Sequence, residues 1–224
     1  MFEDEKRAAA LAAAGEILGG MVIGLGTGST VAELIPVLAA RVRDGLEVVA
    51  VATSVATEAA ARAAGIRIAS FADLSRIDLT IDGVDEIEPS LRAIKGAGGA
   101  LLREKIVATA SVRMVAIADS SKFSAALGSR RVPVEVLPFA REFVMQALGA
   151  IGAVPELRMA GEQPARSDQG NLLVDCAFAH LHDPAGLARR LSDIPGVMGH
   201  GLFLGEIDAL YLARKGRVER IERP

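Results

Sequence analysis

The sequence predicts an α/β fold: a Rossmann-like, mostly parallel sheet with helices on both faces, joined to a smaller ferredoxin-like α+β (βαββαβ) domain. Three observations carry this expectation. Through the first half, short apolar runs alternate with longer stretches of helical spacing, the rhythm of βα units that build a parallel sheet. The second half changes to the order β-α-β-β-α-β, a split βαβ arrangement. Two glycine-rich segments follow strand-like runs directly, at the place where open α/β sheets form their ligand crevice.

Taken in order, an alanine-rich helix is expected over about 4–18, with strands near 21–24, 47–52, 66–69, 77–82 and 113–118 and helices between them. Residues 31–43 carry apolar side chains at helical spacing. In the second half, 132–136 reads as strand, 139–151 as helix, 154–159 and 171–179 as strands, 184–192 as helix and 197–204 as strand. The polar stretch 165–170 joins the central hairpin. Two final alternating stretches, 207–213 and 218–221, are expected to return to the first sheet. The domains are therefore placed at 1–128, a Rossmann-like α/β catalytic domain completed by 205–224, and 129–204, the ferredoxin-like part.

Composition bounds the function. The chain has 224 residues, enough for one large or two small domains with a substantial core. Hydrophobic residues make up 51%, but much of that is alanine and no apolar run approaches the roughly 20 residues of a membrane span. The opening Met1-Phe2-Glu3-Asp4-Glu5-Lys6-Arg7 is acidic and lacks the features of a secretory signal, so a cytoplasmic location with no membrane partner is expected. Net charge is −3 with no concentrated basic stripe, which argues against nucleic acid as a partner. Cys176 is the single cysteine, so no internal disulfide forms, and its apolar strand setting suits a buried structural thiol. His180, His182 and His200 lie in no cluster of ligand spacing, and no metal site is expected.

The chemistry concentrates in Asp82-Gly83-Val84-Asp85, Lys95-Gly96-Ala97-Gly98-Gly99 and Glu104-Lys105. The apolar run 76–81 delivers Asp82 to the carboxyl end of a strand, and Gly83 is read as permitting a tight turn before Asp85. Two neighbouring carboxylates repel, and the pKa of one rises unless a cation offsets the repulsion; Lys95 is the candidate. The glycines after it let backbone N–H groups approach an anion. Glu104 falls in a helix beginning near residue 100. A second site lies at Leu25-Gly26-Thr27-Gly28-Ser29-Thr30, a strand-to-helix junction where unpaired N–H groups and the helix dipole favour a phosphate. Its glycine spacing is neither that of a dinucleotide fingerprint nor of a nucleotide P-loop, so a monophosphate fits best. An ordinary βα turn with a Ser or Thr cap is the plain alternative.

The stretches GLGTGST at 24–30, DGVDEI at 82–87, KGAGGALLREKI at 95–106, DSSK at 119–122, VPVEVLPF at 132–139, SDQGNLLVD at 167–175 and IPGVMGHGLF at 194–203 resemble, in order and over nearly the whole chain, ribose-5-phosphate isomerase type A. The resemblance implies interconversion of D-ribose 5-phosphate and D-ribulose 5-phosphate in the non-oxidative pentose phosphate pathway, with no metal or organic cofactor. It implies Glu104 as general base, with Asp82, Asp85 and Lys95 at the sugar oxygens. It further implies substrate contacts from Thr27, Gly28, Ser29, Thr30, Gly83, Val84, Gly96, Ala97, Gly98 and Lys122, from Lys6 near the phosphate, and a homodimer or homotetramer. A base in this role works best when burial lifts its pKa towards neutrality. Ala97 departs from the family's usual glycine, so the turn must admit a Cβ there; Val132 replaces a leucine common before the Pro-Val-Glu-Val segment.

Two other classes share part of this pattern. A sugar-phosphate-binding sensor without catalysis would need the phosphate loop but not Glu104, Asp82, Asp85 and Lys95 together. An amino-sugar-phosphate isomerase or deaminase, or a CoA transferase with a glutamate nucleophile, would use a similar scaffold, and the ordered motifs speak against these.

Overall fold

The computed structural model describes residues 2–223. The elements run α1 (Phe2–Ala14), β1 (Val22–Leu25), α2 (Ser29–Arg43), β2 (Val49–Ala52), α3 (Val55–Ala63), β3 (Ile77–Gly83), β4 (Glu86–Ile87) and β5 (Ala93–Ile94). Next come α4 (Leu101–Thr109), β6 (Ser111–Asp119), β7 (Val132–Val136), α5 (Arg141–Ala150), β8 (Val154–Leu157), β9 (Met159–Ala160) and β10 (Gln163–Pro164). The chain closes with β11 (Leu172–Ala177), α6 (Pro184–Ser192), β12 (Val197–His200), β13 (Leu202–Phe203), β14 (Ala209–Arg214) and β15 (Arg217–Glu222). They form two compact units: one takes the chain up to Val84, Arg103–Phe123 and the chain from Gly205, and the other takes Asp85–Leu102 and Ser124–Leu204. The expected division near 128 thus falls at 123–124, and 85–102 is gathered with the second unit.

In the first unit six strands form one sheet in the order β15-β14-β6-β3-β1-β2, every neighbouring pair parallel except the terminal hairpin β14–β15. The last two apolar stretches of the sequence do return to this sheet. On one face, α2 buries Val31, Leu34, Ile35, Leu38 and Ala39, the spacing of a single helical stripe, against Ile23, Leu25, Leu79 and Ile81. Gly45 at φ +99 ends that helix in the left-handed conformation glycine tolerates. Acidic Glu3, Asp4 and Glu5 favour the start of α1, whose buried face is mostly alanine, so it packs closely. It ends at Ala14, short of the expected residue 18, and Gly15 follows. A smaller cluster, Val51, Ile77 and Val107, brings α4 onto the sheet.

The second unit contains a four-stranded antiparallel sheet, β12-β7-β11-β8. Numbered within βαββαβ this is fourth-first-third-second, the ferredoxin-like order read from the sequence. Val132, Val134, Val136, Val174 and Cys176 face Val144 and Leu148 of α5 and Leu187 and Leu191 of α6 in one core. There, burial pushes the Cys176 thiol up to about 12, with the Asp175 charge adding to it, and the sulfur is an inert core group.

Three expectations change. The segment 66–69 is no strand: it meets β2 through a single bridge, Ala50 with Ile68, because two hydrogen bonds to Ala50 are all that it makes there. The strand expected over 197–204 breaks at Gly201, whose O accepts from Lys95 N and whose N donates to Pro133 O. A Cβ at 201 would sit 2.1 Å from Lys95 O, so only glycine allows this crossing, and 202–203 pairs instead with β5 in a small sheet β13-β5-β4. The 154–159 strand stops at Leu157, and Met159–Ala160 pairs with Gln163–Pro164 as a separate hairpin.

Glu86 holds the loop 124–130. Its buried carboxylate accepts from Ser124 Oγ (2.8 Å), Gly128 N (3.1 Å), Ser129 N and Oγ (3.1 and 2.7 Å) and Arg130 N (3.0 Å). Burial alone would raise its pKa, but these donors outweigh burial and hold it below the ordinary glutamate value. A carboxyl with a depressed folded pKa stabilises above its unfolded value and loses that contribution as pH falls through the folded one. Glu86→Gln is therefore expected to destabilise by roughly 1–3 kcal/mol at pH 7. Urea unfolding at falling pH should show the gap to the parent narrowing below about pH 4; a constant gap would mean that the charge plays no part.

Candidate active site

The first unit gathers its candidate residues at the carboxyl end of the parallel strands. Alternation along β3 puts Thr80 and Asp82 on the face that α4 covers: Gly24, paired with Thr80, would drive a Cβ to 2.8 Å from Val107 Cγ1 of that helix. Because Thr109 leads into the amino end of β6, α4 descends the sheet and its first turn stands at the carboxyl end. Glu104 is three residues before Val107 and so shares its sheet-facing side, one turn nearer that end. Asp82 and Glu104, 0% and 4% exposed, thus lie on one face and at one end of the same sheet.

Asp82 also shapes the loop beside it. Its Oδ1 accepts from Thr27 N at 3.1 Å and from Gly83 N at 2.7 Å. A Cβ on Gly26 would fall 2.0 Å from that oxygen, so position 26 must be glycine. Thr57 Oγ1 donates to Gly26 O at 2.9 Å, and the Thr27 and Thr53 hydroxyls meet at 2.7 Å. The loop then enters α2 through Gly28 at φ +108, which caps the helix with no side-chain hydrogen bond. The plain turn with a Ser or Thr cap is not what forms. The first intrahelical bond is Ala32 N to Gly28 O, so the amides of Ser29, Thr30 and Val31 are left to the helix's open positive end. Gly83 is not in the left-handed region and extends β3, so the tight turn expected there is absent.

Lys122 ends a short 3₁₀ turn, Ser120–Lys122, capped by Asp119, whose Oδ1 accepts from Ser121 N at 2.9 Å. Glu5 of α1 ties down the same turn, accepting from Ser120 N (2.9 Å), Ser120 Oγ (2.6 Å) and Lys215 N (3.2 Å). Hydrogen bonds from Ser120 hold its carboxyl below the usual range. Lys6 follows Glu5 in sequence; its stem is largely buried and its Nζ pairs with Glu3 at 2.6 Å. Val84, with Asp82 and Gly83, is buried in this unit.

The second unit holds the remaining residues. Lys95 follows β5, is 2% exposed, and carries its Nζ 5.4 Å from the centroid of the Phe203 ring, a cation–π arrangement. The turn after it takes left-handed backbone at Gly96 (φ +103) and Gly99 (φ +79), while Ala97, exposed with Gly98, does not. The backbone at 97 therefore admits a Cβ without left-handed strain. Asp85 accepts from Ala97 N through Oδ2 at 2.8 Å. Sequence reasoning passed over Glu5, Glu86, Arg158 and Asp175 as working residues. The signal for the last two was present: Glu156 and Arg158 interrupt the strand-like run 154–159, and Asp175 interrupts the apolar run 172–177. His180 and His182 stack at 5.0 Å, and among the described residues no group of three or more His, Cys, Asp or Glu is placed to hold a metal ion.

Comparison with known proteins identifies the family. The family model for ribose 5-phosphate isomerase A (phosphoriboisomerase A) matches residues 49–217. Ribose-5-phosphate isomerase A of Sphingopyxis alaskensis is 50% identical over 218 residues, covering 97% of this chain and 96% of its own. That of Methanosarcina acetivorans is 48% identical over 223 residues, covering 98% and 94%. Among solved structures, ribose 5-phosphate isomerase A from Methanocaldococcus jannaschii superposes with a TM-score of 0.94 at 34% identity, covering 98% of this chain and 99% of its own. A D-ribose-5-phosphate isomerase in complex with phospho-erythronic acid gives 0.96 at 35% identity, with both chains covered in full. This chain belongs to the ribose 5-phosphate isomerase A family.

Proposed function

We propose that the protein interconverts D-ribose 5-phosphate and D-ribulose 5-phosphate by proton transfer through an enediolate. The observation that carries this reading is the pair Asp82 and Glu104, two buried carboxylates on one face and at one end of the sheet, next to a loop and helix start suited to a phosphate. A protein that only binds sugar phosphate needs the loop and has no use for two carboxylates withdrawn from water at that cost. The relative solved with phospho-erythronic acid points the same way, since a phosphorylated sugar acid presents a planar anion like that of an enediolate.

In the forward direction the sugar opens to its aldehyde. Glu104 takes the proton from C2, the electron pair of that C–H bond forms C1=C2, and the carbonyl pair moves onto O1. Glu104 returns the proton to C1 while the O2 hydroxyl gives up its proton and O1 gains one, leaving the C2 ketone and a C1 hydroxyl; no atom is gained or lost. Lys95 supplies positive charge to the developing oxyanion, and Asp82 and Asp85 move protons at the sugar hydroxyls and assist ring opening. Thr27, Gly28, Ser29 and Thr30 hold the phosphate with Lys122 and Lys6, Lys6 exchanging Glu3 for it. Gly83, Val84 and the 96–98 backbone complete the substrate contacts. We further propose a homo-oligomer, for which the outstanding Phe139 and Phe143 supply apolar surface, and a cytoplasmic setting, which suits the free Cys176.

Two outcomes are expected. Glu104→Gln keeps the shape and removes the base: turnover should fall about 10²–10⁴-fold, and incorporation of solvent deuterium into the sugar should cease, with sugar-phosphate affinity within a few-fold. Binding lost in step with turnover would assign Glu104 a structural part instead. Lys122→Ala should raise KM several-fold with kcat little changed, the pattern of lost ground-state attraction; a collapse of kcat at constant KM would refute the phosphate role.

A further inference from the structure

Arg158, between β8 and β9, grips the glycine turn that follows Lys95. Its backbone is fixed on both sides, N donating to Leu173 O and O accepting from Ala165 N, each at 2.8 Å. Asp175 on β11 receives the guanidinium at two points, Nε to Oδ2 at 2.8 Å and Nη2 to Oδ1 at 2.6 Å. The remaining nitrogen, Nη1, donates to Ala97 O at 2.9 Å and Gly96 O at 3.2 Å. A Cβ on Gly99 would lie 3.0 Å from Leu173 Cδ1 and 3.9 Å from Arg158 Nη1, so the guanidinium is packed against the turn as well as bonded to it. From the other direction Asp85 takes the Ala97 N–H, and Gly99 N closes on Gly96 O at 3.0 Å.

An exposed ion pair contributes little, but the Arg158 and Asp175 side chains are only 19% and 22% exposed. What they accomplish together needs the planar fork of arginine: two donors satisfy the carboxylate while a third reaches the carbonyls. Lysine carries the same charge without that geometry. Without Nη1, a turn with left-handed glycines at 96 and 99 is free to rotate its peptide planes and present C=O where N–H stood. We propose that Arg158, oriented by Asp175, is a positioning residue for the isomerisation, fixing the 96–97 carbonyls and with them the direction of the turn's N–H groups and of Lys95. The proposal rests on the reading above that 95–98 meets the substrate.

The test compares Arg158→Lys, Arg158→Ala and Lys95→Met in the full-length protein by steady-state kinetics, thermal unfolding and amide hydrogen exchange. Both Arg158 variants should lose about tenfold or more in kcat/KM, with faster exchange confined to amides 97–99 and melting within a few degrees of the parent. Added guanidinium ion should restore part of the rate of Arg158→Ala, where space is free, and none of that of Arg158→Lys. Should Arg158→Ala fail to fold, Arg158→Lys, which keeps stem and charge, decides the matter through its kinetics and exchange. Parent-like kinetics in a folded Arg158 variant would overturn the proposal, as would a loss that follows the folded fraction with exchange rising equally along β8 and β11. Lys95→Met separates the two readings: inactivity of that variant beside unchanged Arg158 variants sinks this proposal alone, whereas full activity removes the turn from the substrate site and both readings fail.

Discussion

The carboxylate of Asp82 is the constraint on which the first unit's site depends. Sealing a carboxyl group from water is costly unless donors replace the lost hydration, and here the backbone N–H groups of Thr27 and Gly83 both donate to Oδ1. That choice propagates. Position 26 can carry no side chain, because the oxygen occupies the space a Cβ would need. The loop it leaves behind is pinned by Thr57 and Thr53, and it feeds α2 through a glycine that caps nothing with its side chain. Acid and glycine loop are therefore one structural element: displacing either displaces the other, which under the proposed reaction keeps a substrate held at its phosphate in register with the base.

Elsewhere the protein repeats the same device for a different purpose. Glu86 gathers the 124–130 loop, Glu5 secures the turn that carries Lys122, and Glu135 accepts from Ser167 Oγ and Asn171 Nδ2 to close the 167–170 loop. Each is a buried carboxyl group bonded by groups distant in sequence, Glu86 and Glu5 through both oxygens and Glu135 through Oε1 alone, so each converts a loose connection into a defined one. In Glu86 and Glu5 the carboxylate serves as a many-toothed acceptor and not as half of an ion pair.

The fold was legible where periodicity and length agree. Apolar stripes such as 31, 34, 35, 38 and 39 in α2, and the ordered β-α-β-β-α-β rhythm after 132, depend on nearest neighbours along the chain. The site was legible where chemistry clusters locally, as at 26–30, 82–85 and 95–99. What escaped depends on partners far away in sequence. The break at 201 comes from Lys95 and Pro133, far earlier in the chain, and the demotion of 66–69 from the single residue of β2 that it reaches. Glu86 looked like one more acid in an acidic motif, since nothing local reveals that donors from 124–130 converge on it. Arg158 and Asp175 were visible as charges at the end of one strand-like run and within another, but the turn that Arg158 holds lies on a third segment.

The substitution at Ala97 shows why such distant partners matter. A turn of the form Gly-x-Gly-Gly must be flexible enough to form and rigid enough to keep its peptide planes in one orientation. The left-handed burden falls on Gly96 and Gly99, where a Cβ would collide with Leu101 or Leu173, and those two positions are closed to other residues on both conformational and steric grounds. Ala97 is free of both demands because its N–H and C=O are already engaged, by Asp85 on one side and Arg158 on the other. Its methyl group narrows the backbone freedom of the unfolded chain without straining the folded one, a substitution that favours the native state by a few tenths to about 1 kcal/mol. Rigidity that a glycine at 97 would surrender is in this way supplied twice, by the side chains that clamp the peptide and by the residue that occupies it.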